Sequence, residues 1–115
     1  MEVEERTVGA VTILDLKGKL TFGDGDLPLK TKAQSLLQQG RKQFIINLVA
    51  VPYVDSAGIG ELVETFTTVS RGGGSLKLLN PTRRVQDLLT ITKLLTVFET
   101  FTAESDAVRS FPVTV

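Results

Sequence analysis

The spacing of apolar residues switches several times along the chain, between a period of two and a period near 3.6. Val3 to Val8 and Val11 to Leu16 have strand character and flank Gly9-Ala10. A two-residue connection with Gly first suits a tight hairpin turn. Gly18-Lys19-Leu20-Thr21-Phe22-Gly23-Asp24-Gly25-Asp26 reads as a short strand entering a Gly/Asp loop. Leu29, Ala33, Leu36 and Leu37 then recur at i, i+4, i+7 and i+8, the mark of an amphipathic helix. Gly40 is placed to end it. Phe44 to Val49 is a nearly continuous apolar run, as expected of a strand covered on both faces. After Ser56, the residues Ile59, Leu62, Val63, Phe66 and Val69 form one helical face, which Arg71-Gly72-Gly73-Gly74 breaks. Leu76 to Leu79 predicts a strand, Val85, Leu88 and Leu89 a third helix, and Val97 to Phe101 a last strand. A short helix from about Ala103 to Ser110 precedes Pro112.

After the opening hairpin, strand and helix alternate at short spacing. That order predicts an α/β fold, with helices packed on a mixed, mostly parallel sheet of about four or five strands and about four helices. No repeat, linker or low-complexity tract divides the chain, so residues 1–115 read as one domain.

Composition removes whole classes of chemistry. Neither cysteine nor histidine is present among the 115 residues. Disulfides, thiolate nucleophiles, most zinc sites and the usual Ser-His-Asp triad are therefore excluded. Formal net charge is +0, with acids and bases interleaved. Without a basic stripe, nucleic-acid binding is not expected. No apolar run approaches the ~20 residues that span a bilayer. The acidic start Met1-Glu2-Val3-Glu4-Glu5 is unlike a signal peptide, and a cytoplasmic location is expected.

One segment stands out, Val54-Asp55-Ser56-Ala57-Gly58-Ile59-Gly60-Glu61-Leu62, where a core strand hands over to a helix. The first N–H groups of a helix lack partners and the local field is positive, so an anion placed there is stabilised. Ser56 falls at or near the cap, where its hydroxyl can accept one of those N–H groups. Gly58 and Gly60 are harder to explain. Each costs roughly 0.8–1.0 kcal/mol against Ala in a helix, and no Glu or Gln stands three residues after Ser56 to complete a capping box. Their expected use is to keep the helix mouth low, so that a phosphate or another protein can approach the backbone.

Asp55-Ser56-Ala57-Gly58-Ile59-Gly60 resembles the Asp-Ser-small-Gly-aliphatic-Gly signature of the STAS family, which includes bacterial anti-sigma factor antagonists. Gly18-Lys19-Leu20, the strand Phe44 to Leu48, Gly73-Gly74 before Leu76-Lys77-Leu78, and Leu88-Leu89 through Val97-Phe98 are similar to further family segments. The resemblance implies a single STAS-type domain without catalysis of its own and without a cofactor. It implies that Ser56 is phosphorylated by a partner anti-sigma factor, an ATP-dependent serine kinase that holds the ATP. A serine phosphatase would be the counterpart that resets the site. It further implies a partner surface of Thr21, Asp24, Asp55, Ser56, Ala57, Gly58, Ile59 and Gly60. A STAS subunit of a lipid-transport or signalling-scaffold complex, with no phosphorylation at Ser56, is the alternative within the family. The chain departs from the family at Thr21, where an Asp is usual, with Asp24 or Asp26 as replacements. It departs again at Lys93, which takes the place of a Gly and would carry strain in a left-handed helix end.

Weaker features have plainer readings. Asp24 and Asp26 do not complete the ligand spacing of a calcium loop. Gly72-Gly73-Gly74-Ser75 lacks the Gly-Lys-Ser/Thr ending of a phosphate loop. Thr82-Arg83-Arg84 after Pro81 reads as a solvated helix start, with an anion site as the sharper possibility. Tyr53 and Phe22 could belong to a partner surface or to the core, and the Phe66 face reads as core.

Overall fold

The computed structural model describes residues 2–21, 29–94 and 96–112. A hairpin opens the fold: β1 (Glu2–Val8) pairs antiparallel with β2 (Val11–Lys17), Val8 facing Val11 across the turn. Gly9 there has φ +59°, a left-handed conformation that costs glycine little. Then follow α1 (Leu29–Gln38), β3 (Gln43–Ala50), α2 (Ser56–Arg71), β4 (Ser75–Leu79), α3 (Arg83–Ile91), β5 (Thr100–Phe101) and α4 (Glu104–Arg109). The five strands lie in the order β1-β2-β3-β4-β5, and every pair after the hairpin is parallel.

This sequential order explains the layering. Right-handed crossovers that always step in the same direction place their helices on the same face of the sheet. Buried residues of α1, α2 and α3 accordingly share one core with Leu14, Leu16, Phe44, Ile46, Leu48, Leu76 and Leu78. The alternate strand positions Val11, Ile13, Ile45 and Leu79 face the other way, onto Ala107 of α4 and Phe111. β3 is thus covered on both faces along Phe44–Ile46, which is why it reads as an unbroken apolar run. Phe66 stacks edge-on against Phe98, ring centroids 5.2 Å apart, beside the larger core.

Toward β1 and the start of α4 the second face turns polar. Arg6 forks onto Asp15 at 2.6 and 3.2 Å and also donates to the Glu104 carboxylate, and Asn47 Nδ2 donates to Asp15 at 2.8 Å. The hydrogen bonds from Arg6 hold both carboxyls below their ordinary range and push the guanidinium up. Lys77 is a buried cation on this face. Its Nζ donates to Ser110 Oγ at 2.8 Å and lies 4.4 Å from the centre of the Phe111 ring, partners that compensate a charge otherwise costly to bury.

Three helices end in the same way. Arg41 N–H donates to Leu36, Gly74 N–H to Val69 and Leu94 N–H to Leu89, each reaching back five residues, with a residue at positive φ just before the donor. That residue is Gly40 at +91° and Gly73 at +81°, but Lys93 at +61°, so the strain expected at Lys93 is present. Two expectations need correction. The last strand covers only Thr100–Phe101, because Val97 lies in a turn closed by its N–H to the Leu94 carbonyl. The short strand after Gly18 is a single parallel bridge, Leu20 to Val54.

Candidate functional site

The site is built where the chain leaves β3. Pairing between β2 and β3 continues past both strand ends as a narrow ladder. Gly18 N–H donates to Ala50 O at 3.0 Å, Leu20 N–H to Tyr53 O at 3.0 Å and Asp55 N–H to Leu20 O at 3.3 Å. This ladder delivers Asp55 in an extended conformation, φ −97° and ψ −178°, immediately before the first turn of α2. Asp55 Oδ1 accepts the Gly58 N–H at 2.7 Å, and its carbonyl accepts the Ile59 N–H at 2.9 Å. Asp55 is therefore the N-cap, and the expectation that the Ser56 hydroxyl serves the cap is corrected. Aspartate caps as well as serine does, and it stands one position earlier, at the last extended residue.

Ser56 is consequently the first helical residue, exposed, and no hydrogen bond engages its hydroxyl among the described residues. Ala57 and Gly60 are exposed beside it. They line a shallow groove between α1 and α2, with Lys30 and Gln34 toward α1 and Glu61 and Glu64 on α2. Glu61 also ties the two helices, its Oε1 accepting the first N–H of α1, from Leu29, at 2.5 Å. Nothing in the sequence pattern announces that contact.

The two glycines have different uses. A Cβ on Gly58 would lie 2.0 Å from the Leu20 carbonyl oxygen and 2.9 Å from Val54 Cγ1. Gly58 is buried, and its role is to let α2 sit directly on the Leu20–Val54 bridge, not to open the mouth. A Cβ on Gly60 would meet nothing within 4 Å. Only Gly60 keeps the surface low, as expected of both. Ile59 is a core residue at 5 % exposure, packed with Leu62 and Val54, so its side chain faces away from any partner. Thr21 is half-buried and directly follows Leu20 of the bridge. Asp24, Asp26 and Phe22 lie outside the described residues.

On the other side of Ser56 is a cavity of about 410 Å³ between the mouth and α3, lined by Tyr53, Ser56, Arg84, Asp87, Leu88 and Ile91 among others. Tyr53 is 40 % and Ile91 76 % exposed. The Arg84 guanidinium lies over the Tyr53 ring, 5.9 Å from its centre. Thr82 Oγ1 donates to Val51 O at 3.2 Å, pinning the start of α3 to the exit from β3. Thr82 thus braces the cavity wall through a contact between positions 31 residues apart, which no local pattern signals.

These features define an α/β domain that presents a serine at an open helix mouth on its surface. The chain belongs to the STAS domain family, whose model matches residues 2–107. It is 41 % identical over 71 residues to the anti-sigma-B factor antagonist of Bacillus subtilis, a match covering 62 % of this chain and 64 % of that protein. A crystal structure of a Thermotoga maritima protein assigned as an anti-sigma factor antagonist superposes with a TM-score of 0.84 at 24 % identity, over 94 % of this chain and 92 % of that one. The Bacillus cell fate determinant SpoIIAA in its phosphorylated form superposes with a TM-score of 0.71 at 19 % identity, over 96 % and 100 % of the two chains. These last two likenesses concern the fold. Among the described residues no helix is long and apolar enough to cross a membrane.

Proposed function

We propose that this chain is an anti-sigma factor antagonist controlled by phosphorylation of Ser56. Unphosphorylated, it binds an anti-sigma factor serine kinase in the cytoplasm through the mouth of α2, which frees the sigma factor. The kinase supplies ATP. Ser56 Oγ attacks the γ-phosphorus, the bond to the β-phosphate oxygen breaks, ADP leaves, and the serine proton passes to a base on the kinase. A serine phosphatase would reverse the state. The domain has no catalytic role of its own in this reading.

The observation that supports it is the division between Asp55 and Ser56. The cap is already made by Asp55, so the exposed Ser56 hydroxyl has no structural duty and is presented beside the low surface of Ala57 and Gly60. A phosphoryl group adds about −1.5 to −2 charges at pH 7. At a helix N-terminus that charge is tolerated, whereas inside a covered interface next to Asp55 it meets like-charge repulsion and loses its hydration. Sigma-factor release therefore follows the unphosphorylated state.

The test is binding of the cognate kinase by Ser56→Ala and Ser56→Asp chains. Ser56→Ala should bind like the native protein and take up no phosphate. Ser56→Asp should bind at least about tenfold more weakly, a loss of ~1.4 kcal/mol, while unfolding at an unchanged denaturant midpoint. Equal affinities for the two variants would overturn the reading.

A further inference from the structure

The cavity beside Ser56 is lined by Arg84, whose guanidinium the described residues engage only through a ring. Among the described residues Arg84 makes no ion pair and no hydrogen bond; its guanidinium lies over the ring of Tyr53, 5.9 Å from the centroid. Among the described residues Arg84 is also the only basic group lining the cavity, where Asp55 and Asp87 supply negative charge. A phosphoryl group on Ser56 would enter a space with two carboxylates already in it. Opposite-charge compensation there can come from the α2 N-terminus and from Arg84.

We propose that Arg84 is the internal receptor for phosphorylated Ser56: it leaves the Tyr53 ring and pairs with the phosphate across the cavity. The inference rests on Ser56 being a phosphoacceptor. An exposed cation–ring contact near the outer limit of the range is weak, and a guanidinium matches phosphate oxygens in a two-pronged, charge-assisted geometry. The exchange trades a weak ring contact for a charge-assisted pair. It has two consequences for regulation. The phosphate is partly neutralised and held against the domain instead of standing free for a phosphatase. The Tyr53 ring is uncovered at the rim of the partner-facing mouth, so phosphorylation changes that surface at a second point.

The test does not need the kinase. Phosphoserine is incorporated at position 56 during translation, and the second ionisation of the phosphate is followed by phosphorus NMR in the native background, in R84Q and in R83Q. Arg83 neighbours Arg84 on α3 and is exposed, but it does not line the cavity, so it reports the general field alone. A paired cation holds the ionisation lower by about one unit. R84Q should raise it by about that amount and R83Q by less than half as much. No shift in R84Q, or equal shifts in the two variants, would overturn the proposal. Tyr53 is the chain's single tyrosine and there is no tryptophan, so tyrosine emission reports this ring alone. Emission should follow the phosphate titration in the native background and stay constant in R84Q; emission that tracks the titration equally in both would also overturn it. A kinase that never modifies Ser56 would defeat the proposed function while leaving these titrations unaffected.

Discussion

Replacing Gly58 and Gly60 one at a time by alanine puts two chemically identical changes, two residues apart, into the same helix. The outcomes should have opposite signs. At Gly58 the new Cβ would stand 2.0 Å from the Leu20 carbonyl oxygen. A carbon–oxygen contact settles near ~3.3 Å, so α2 and the Leu20–Val54 bridge would have to separate by more than ~1 Å. The bridge is held by the Leu20 N–H to Tyr53 and by the Asp55 N–H to Leu20, and both would be strained. Overpacking costs about 1–3 kcal/mol and a weakened hydrogen bond about 1. Against this, alanine gains about 1 kcal/mol of helix propensity. The net expectation is a loss of about 2 kcal/mol. At Gly60 the Cβ enters open solvent, so the propensity gain stands almost alone and the chain should be stabilised by about 0.5–1 kcal/mol. Urea unfolding of the two variants, with slopes matching the native chain, measures both numbers. Two variants displaced in the same direction would refute the packing account of Gly58. The same Gly60→Ala chain should bind the anti-sigma kinase more weakly despite its higher stability, because the added methyl stands on the face proposed to be covered.

Lys93→Gly should stabilise the domain by about 0.5–1 kcal/mol, the relief of a left-handed side-chain residue less the extra freedom glycine has when unfolded, read as a higher denaturant midpoint. The equivalent positions Gly40 and Gly73 set the direction, and a lower midpoint would contradict it. Arg6→Met should cost about 1 kcal/mol at pH 7, a figure already discounted for solvent screening because Arg6 is 38 % exposed. Asp15 and Glu104 titrate lower in the folded chain, so their contribution is complete above the unfolded carboxyl values near pH ~4 and is lost as pH falls through the folded ones. The stability gap between the native chain and Arg6→Met should therefore shrink in acid, and a gap that widened below pH ~4 would refute the network's role.

How much was legible in the sequence follows from how local each signal is. The turn at Gly9, the periodicity of α1 and α2, and the two-sided burial of β3 are set by residues within a few positions of one another, and all three were readable. The strand that the pattern predicts at Val97–Phe101 shrinks to Thr100–Phe101, because apolar β-formers do not tell a paired strand from a turn packed on Phe66. The pattern locates the helix start to within one residue, but it points to Ser56 as the cap where the structure has Asp55. Composition favours both equally, and only the backbone arriving along the Leu20 ladder decides between them. Gly58 stands out in the sequence, but its use is not local, since its neighbour is a backbone carbonyl 38 positions earlier in the chain. Glu61 on Leu29 and Arg84 over Tyr53 are similarly non-local, and no spacing rule could have found them.

The division between cap and hydroxyl also fixes what kind of switch this mouth can support. Had Ser56 been the cap, a phosphoryl group would have displaced a bond that holds the first turn, and modification would have acted on the fold. With Gly58 N–H held by Asp55 and Gly58 itself locked against Leu20, the first turn stands without help from Ser56. Inside the domain the added charge then meets repulsion from Asp55, a helix-terminus attraction of about 0.3–1 kcal/mol and the pairing proposed for Arg84, none of which replaces the Asp55 bond that holds the first turn. Inverting a 99:1 bound population requires ~5.5 kcal/mol. That sum has to be found in the complex, where a dianion covered by a partner loses its water. A switch of this design would separate two folded proteins while unfolding neither, and the same domain could be cycled many times.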